Sequence, residues 1–257
     1  MSFDIGKILS EWPYEPDKIS ARLIEGEDGR EKIQLRLDLG LLQMETTGRP
    51  DGDQPHECES LLAHHQRRLQ KHRERYGSDE GFELEESDCE ELRNEAVMYY
   101  HRYLAEFVLE RFEAVVRDTK RNLRLMDFLA AYAKEESDRQ AMERYRPYVI
   151  MMHTRARALG AFREDRPRAA LAAVKRGIDR IKEFYGRSDD DMETAHAGEL
   201  SILGAMEKEL SAQLPVDPVE RMRKELSRAV REERYEDAAA LRDQLREMVD
   251  EDSPPEG

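Results

Sequence analysis

The sequence predicts a mainly α-helical protein with an N-terminal β-hairpin, an antiparallel helical bundle and a C-terminal helical hairpin. Charged residues make up 39% of the 257 residues and hydrophobic residues another 39%, a composition typical of amphipathic helices with solvated faces. Strict alternation of apolar and polar residues occurs only near the N-terminus, and helical spacing follows it. We expect a β-hairpin and loop region at 1–55, a helical domain at 56–214, a helical hairpin at 215–250 and a disordered tail at 251–257.

The N-terminal segment ISARLIEGEDGREKIQLRLDL predicts two antiparallel strands joined at Asp28-Gly29, a dipeptide that favours tight hairpin turns. Apolar residues alternate with polar ones in its second half, at Ile33, Leu35, Leu37 and Leu39. This period of two predicts a half-buried strand. The glycines and prolines of ETTGRPDGDQP then predict a loop.

Apolar residues at helical spacing predict the remaining elements. The expected helices cover about 57–76, a long helix from Ser87 through Phe112, and then 119–135, 138–163, 167–185, 190–213, 217–232 and 235–250. Ser87 and Glu90 have the spacing of a capping box at a helix start. Pro147 predicts a kink or a new helix, and Pro167 suits a first helical turn.

The segment ALGAFREDRPRAALAAVKRGID resembles a tetratricopeptide helix pair, in which small residues such as Gly160 and Gly177 let two helices approach closely. The connection between the helices is about two residues shorter than that repeat of roughly 34 residues requires. A second copy is not evident. An ordinary antiparallel helix pair is therefore the preferred interpretation.

The charge distribution limits the possible functions. The formal net charge is −15, which argues against generic nucleic-acid binding. Residues 144–182, however, hold eleven Lys or Arg and three acidic residues, a local charge of +8. No apolar run reaches the roughly 18 residues of a membrane helix, and the N-terminus has no signal-peptide pattern. Two cysteines make no disulfide framework, so we expect a cytoplasmic protein.

Part of the basic segment could line a groove for an acidic peptide or a phosphate backbone, since guanidinium groups make forked contacts with both. The candidate anion-binding residues are Arg155, Arg157, Arg163, Arg166, Arg168, Lys175 and Arg176. The alternative, which we prefer, is charge balance within the chain against acidic segments such as SDDDMET at 188–194.

Motifs that would indicate catalysis are missing from the sequence, which has no phosphate-binding glycine loop, nucleophile elbow or zinc-protease helix. The best metal candidates are His56, Cys58, His64, His65 and His72. They lack the paired-cysteine spacing of structural zinc sites. Cys89 follows acidic residues, which do not favour a reactive thiolate. We expect a non-enzymatic protein without cofactor or bound metal.

The segment 217–250 predicts two short amphipathic helices joined by EERY, which must fold back antiparallel. So small a core requires a docking partner. On a helical wheel Arg242 falls among the apolar residues of the second helix, and Asp243 falls at their edge. We expect Arg242 to meet a carboxylate, such as Glu225, Glu232, Glu233 or Asp243 of a partner hairpin.

This hairpin resembles the UVR motif, which joins UvrB to UvrC in excision repair and also occurs in some Clp-type ATPases. The matching residues are Leu226, Ala229, Tyr235-Glu236, Ala238-Ala239 and Leu241-Arg242-Asp243. The resemblance implies a protein-interaction surface. Its expected members are Leu226, Ala229, Val230, Tyr235, Ala238, Ala239, Arg242 and Leu245.

The segment LRLDLGLLQMETTGRPDG is similar to UVR-motif-containing proteins of planctomycete-type bacteria. The leading hypothesis is an adaptor that docks through its hairpin onto a repair protein of the UvrB or UvrC kind, a Clp-type ATPase or a second copy of itself. The alternative is a repair factor that binds nucleic acid through residues 144–182.

Overall fold

The computed structural model describes residues 4–186, 197–214 and 218–251. Helices dominate, so the predicted mainly α class is confirmed. The chain divides into two compact units, Met1–Glu207 and Lys208–Gly257. Of the tail predicted at 251–257, Glu251 belongs to the last helix, and residues 252–257 lie outside the described residues, as do Asp217 and the acidic segment 188–194.

The elements of the first unit follow one another in chain order. They are α1 (Gly6–Glu11), β1 (Ala21–Glu25), β2 (Glu31–Arg36), β3 (Leu41–Glu45), α2 (Leu61–Tyr76), α3 (Glu86–Val108), α4 (Phe112–Tyr132), α5 (Glu136–Gln140), α6 (Arg146–Arg163), α7 (Pro167–Tyr185) and α8 (Ala197–Gln213), which extends past the boundary between the units. Short 3-10 turns lie at Pro55–Glu57 and Glu143–Tyr145.

The N-terminal sheet has three antiparallel strands in the order β1-β2-β3. The predicted turn is confirmed, since Gly29 has a φ of 71° and the Gly26 amide donates to the Arg30 carbonyl at 2.8 Å. The prediction of only two strands was wrong. The alternating pattern continues through a second turn at 37–40, and the Leu39 expected in a half-buried strand is 87% exposed.

The central strand β2 is buried on both faces. One face carries Ile33 and Leu35, which pack with Met44 of β3 against Ala105 of α3. On the other face Gln34 is buried as well, accepting from the Arg22 guanidinium at 2.8 Å. The half-buried strand predicted from alternation therefore corresponds to a strand whose polar face is also covered.

Helices α3, α4, α6 and α7 form a row in which each packs on the next in chain order. The predicted helix through Phe112 ends at Val108, and Phe112 begins α4. Pro147 lies in the first turn of α6, so it marks a new helix start, and Pro167 begins α7 as predicted. The capping box of α3 joins Glu85 and Asp88, so its predicted position at Ser87 was wrong.

Three helix corners among the described residues have the same geometry. A left-handed acidic residue is followed by Arg and then by the first residue of the next helix, at Glu110-Arg111-Phe112, Asp165-Arg166-Pro167 and Glu233-Arg234-Tyr235. In each corner the Arg amide donates to a carbonyl five residues earlier, at 2.8–2.9 Å. This is the bond that closes a Schellman-type helix end. Three short corners of this kind make three antiparallel helix pairs.

The α6–α7 pair is held at short range by a glycine. A Cβ built on Gly177 would lie 2.3 Å from the Oγ1 of Thr154 and 2.8 Å from its Cβ. At Gly160 a Cβ would meet only the Phe112 side chain at 3.6 Å, an ordinary contact. The close approach predicted for this pair therefore depends on Gly177.

A buried layer of charged groups joins α3 to α4. Arg102 forms a two-armed ion pair with Asp118 at 2.6 and 3.0 Å, and each side chain is 1% exposed. Arg102 also donates to the carbonyls of Glu45 and Gly48, which attaches the sheet region to the helices. Burying either charge without its partner would cost several kcal/mol. The fold therefore depends on both members of the pair and on their hydrogen bonds.

Two further carboxylates of α3 are fully buried. Glu95 accepts from the Leu61 amide at 2.7 Å at the start of α2, and it pairs with Arg121 of α4. Glu106 accepts from Arg117 at 3.0 Å. Burial, reinforced by the nearby Asp118, raises the pKa of Glu106 to about 8 despite this contact.

Candidate protein interface

The C-terminal unit contains the predicted helical hairpin. Helix α9 (Pro218–Arg231) and helix α10 (Tyr235–Glu251) pack on each other across the third helix corner. At this corner Arg234 pairs with Glu232 at 2.8 Å and with Asp237 at 2.5 Å, which ties its side chain to both ends of the turn. The hairpin thus has a defined connection of three residues.

The predicted interface residues fall into two groups. Ala229, Ala238 and Leu245 are 0%, 7% and 9% exposed, and Leu226 is half-buried. Since α9 and α10 pack on each other, these residues form the inner seam of the hairpin. The remaining four are exposed, and we call them the outer face: Val230, Tyr235, Ala239 and Arg242.

The outer face combines apolar and basic groups at the surface. Val230 is 51% exposed and Tyr235 67%. From Tyr235, the helical wheel places Ala239 at about 40° and Arg242 at about 340°, so the three share one side of α10. Among the described residues of α10, the apolar Tyr235 and Ala239 therefore lie outside the seam.

Arg242 lies on this exposed side, with 70% of its side chain accessible. It donates to Asp243 of the same helix at 2.9 Å. The structure thus places Arg242 outside the intramolecular seam, next to a carboxylate that is also exposed. Its expected pairing with a partner hairpin stays a prediction.

The predicted anion-binding residues of 144–182 do not share one environment. Arg155 is half-buried and stacks on Phe107 at 4.6 Å, and both Arg163 and Arg166 pair with carboxylates, those of Glu110 and Glu164. The other four are exposed and have no ion pair within the described residues: Arg157, Arg168, Lys175 and Arg176.

The histidine and cysteine candidates occupy ordinary structural positions. His56 stacks on His64 with ring centroids 4.0 Å apart, and His72 packs near Phe82. Among the described residues, no group of three His, Cys, Asp or Glu side chains is arranged to hold a metal ion. Burial raises the pKa of the Cys89 thiol to about 11, so this thiol is not activated.

One basic residue near this segment was missed. Lys120 of α4 lies outside 144–182 in sequence, yet it lies near His153 of α6, whose pKa is lowered mainly by burial and to a smaller extent by nearby cations that include Lys120. No linear pattern in the sequence connects Lys120 to the basic residues of α6 and α7, because only helix packing brings them together.

The geometry defines the C-terminal unit as a helical hairpin with a small-residue seam and an exposed aromatic and basic face. Residues 217–251 match the family model of the UvrB/uvrC motif, UVR, which confirms the resemblance of this segment. Searches of curated proteins and of solved structures found no match. The similarity of the N-terminal segment to planctomycete-type proteins stays a prediction.

In the part of the chain that the structure describes, no helix has the length and apolar character needed to cross a membrane.

Proposed function

We propose that this protein is a non-enzymatic adaptor that docks onto a partner protein through the outer face of its UVR hairpin. The observation that supports this most directly is the exposure of Val230 and Tyr235 on a hairpin whose seam is already filled by Ala229, Ala238 and Leu245. An apolar arc that extends beyond the seam indicates a surface that a second molecule covers.

The composition of the outer face suits such a role. Tyr and Arg are the residue types that most often carry binding energy at protein interfaces, and Tyr offers a large area with few rotatable bonds. Tyr235 begins α10, where the helix corner fixes its backbone. We expect Tyr235 to supply the main apolar contact and Arg242 to supply a charged contact at its side.

The partner that we propose is a nucleotide excision repair protein, because UvrB and UvrC are the proteins for which the matched motif is named. The hairpin would then attach the helical body to a repair assembly in the cytoplasm. A Clp-type ATPase and a second copy of this chain are the other partners that a binding experiment has to separate.

The test uses two neighbouring alanines of α10, Ala239 and Ala240, both of which are exposed. Ala239 lies on the outer face, and Ala240 lies about 100° further round the helix. A photo-crosslinking amino acid is placed at either position in the full chain, in its native cell. We expect position 239 to give a crosslink to a repair protein, identified by mass spectrometry, and position 240 to give none.

The outcomes separate the parts of the proposal. A crosslink from position 239 to a Clp-type ATPase or to a second copy of the chain would overturn the proposal of a repair partner. It would still support the outer face as the docking surface. Equal crosslinks from both positions, or none from 239, would overturn the docking face. Once a partner is identified, Tyr235→Ala should weaken binding by about 30-fold, the loss typical of an interface anchor, whereas Tyr76→Ala, at the exposed last residue of α2, should not.

A further inference from the structure

A cluster of exposed basic residues lies across α4, α6 and α7, and its location can be derived from contacts in the core. His153 of α6 lies 3.0 Å from the Thr119 hydroxyl of α4, and its neighbour Thr154 meets Gly177 of α7. These contacts place the middle turns of the three helices side by side. We call the exposed cations around this point the basic patch: Lys120, Arg157, Arg176 and Arg180.

Each member follows from the helical geometry. Lys120 comes directly after Thr119, and Arg157 lies one turn after His153. Arg180 lies three residues after Gly177, and Arg176 lies one turn before Arg180, on the same side of α7. Burial lowers the pKa of His153 most, and the charges of Arg157, Arg180 and Lys120 lower it further, which agrees with their positions around this imidazole.

The cations of the basic patch differ from others of the same helix row in their ion pairing. Within the described residues, none of its four side chains forms an ion pair, whereas Arg146 of the same helix row is paired with Asp127 and Glu143. The formal net charge of the whole chain is −15, so carboxylates are abundant elsewhere. Four cations from three helices, none of them paired with a carboxylate that the structure describes, therefore mark a surface that attracts anions.

The surroundings of the basic patch favour a phosphate backbone over a protein partner. Protein interfaces usually depend on buried aromatic or aliphatic anchors. Within the described parts of α4, α6 and α7, Phe162 is the exposed large hydrophobic side chain, and it lies about 140° around α6 from Arg157. A surface with charge and no apolar anchor suits phosphate contacts, which supply affinity without reading bases.

We propose that Lys120, Arg157, Arg176 and Arg180 bind the phosphodiester backbone of double-stranded nucleic acid, without sequence preference. This binding is separate from the protein docking proposed for the C-terminal hairpin. It differs from the anion groove predicted from residues 144–182, because it includes Lys120 of α4 and excludes the paired Arg163 and Arg166.

The test measures binding of the full chain to a fluorescently labelled duplex of random sequence, by anisotropy at several salt concentrations. Two charge reversals, Arg157→Glu with Arg180→Glu, are compared with a control of equal net charge, Lys71→Glu with Arg75→Glu, which changes two exposed residues of α2. Four phosphate contacts predict a slope of about −3.6 for the logarithm of the association constant against that of salt. Lys120→Glu with Arg176→Glu is a second patch variant, and circular dichroism verifies folding.

We expect each patch variant to bind at least about tenfold more weakly at low salt, with the slope reduced by about 2, and the α2 control to retain its slope. Binding to a DNA duplex is compared with binding to an RNA duplex, to establish which nucleic acid supplies the phosphodiester backbone. No binding at about 50 mM salt would overturn the proposal, as would equal weakening by the control variant. Displacement of the duplex by polyglutamate at equal charge concentration would also overturn it, in favour of an acidic protein.

Discussion

Gly177→Ala tests the close contact of α6 and α7, on which the position of the basic patch depends. The new Cβ would lie 2.3 and 2.4 Å from the Oγ1 and Cγ2 of Thr154, where carbon atoms in contact normally lie about 3.5–4.0 Å apart. Thr154 is 4% exposed and β-branched, so its side chain has little freedom to move away. The helices must therefore separate by about 1 Å or more, and overpacking of this kind costs about 1–3 kcal/mol.

The matched control is Gly204→Ala in α8, because a Cβ at Gly204 would meet no atom within 4 Å. Replacing a helical glycine with alanine normally stabilises by about 0.5–1 kcal/mol. Urea titration and thermal melting followed by circular dichroism should give a lower free energy of unfolding for Gly177→Ala, with a melting temperature reduced by roughly 3–8 °C. Gly204→Ala should change stability in the opposite direction.

A double-mutant cycle identifies the cause of the loss. Thr154→Ala removes the Oγ1 and Cγ2 atoms and leaves only the Cβ, which lies 2.8 Å from the new Cβ at 177. In the Thr154→Ala background, Gly177→Ala should therefore cost about 1 kcal/mol less than in the original protein. If Gly177→Ala left the melting temperature unchanged or raised it, the close packing of α6 and α7 would be refuted.

Three further predictions concern buried charges and the hairpin corner. The raised pKa of Glu106, about 8 against an ordinary 4.5, means that folding takes up a proton at this group between these pH values, so the contribution of Glu106 to stability should fall as pH rises from 5 to 8. The buried His65 and His153, whose pKa values burial lowers to about 4, contribute in the opposite direction up to about pH 6.5. Relative to the wild type, Glu106→Gln should therefore gain stability as pH rises across that range, by at most about 1.4 kcal/mol per pH unit in urea titrations. Asp118→Ala leaves the buried Arg102 unpaired and should cost about 3–5 kcal/mol in the same assay, whereas the exposed Asp243→Ala should cost less than about 1. Glu233 has a φ of 57°, so Glu233→Gly should relieve left-handed strain and stabilise the hairpin by about 1 kcal/mol, measured by hydrogen exchange of α10 amides.

For each of these three predictions, one experimental result would contradict it. Equal pH dependence of the wild type and Glu106→Gln would show that Glu106 is not the group that binds the proton. If Asp118→Ala lowered the free energy of unfolding no more than Asp243→Ala does, the buried ion pair would contribute no more to stability than a surface ion pair. Faster exchange in Glu233→Gly would show that the side chain of Glu233 matters more than its backbone conformation.

The elements that the sequence predicted well depend on neighbouring residues. The Asp28-Gly29 turn, the start of α7 at Pro167 and the two helices of the UVR hairpin all follow from local conformational preferences and short-range periodicity. The third strand and the end of α3 were missed because the local sequence pattern continues past the true end of each element. The alternation of β2 continues through Leu39 into the next turn, and the apolar periodicity of α3 continues past Glu110 into α4.

The candidate interface could be predicted only as a set of residues. The helical wheel assigned Tyr235, Ala238 and Arg242 to one apolar arc, because a wheel describes a helix without its neighbour. Packing against α9 divides that arc, and this leaves Ala238 in the seam and Tyr235 and Arg242 exposed. Which residues remain free for a partner is therefore a tertiary property.

The sequence by itself determined the helical class, the first β-turn and the UVR hairpin, because each is encoded within a window of one or two turns. Only the tertiary structure decided that Arg102 and Asp118 are buried together and that Lys120 joins Arg157 and Arg180. From the sequence alone, a charged side chain is expected to lie in solvent. Its actual environment depends on helices far along the chain, whose contacts fix both the cost of burying the charge and the partner that offsets it.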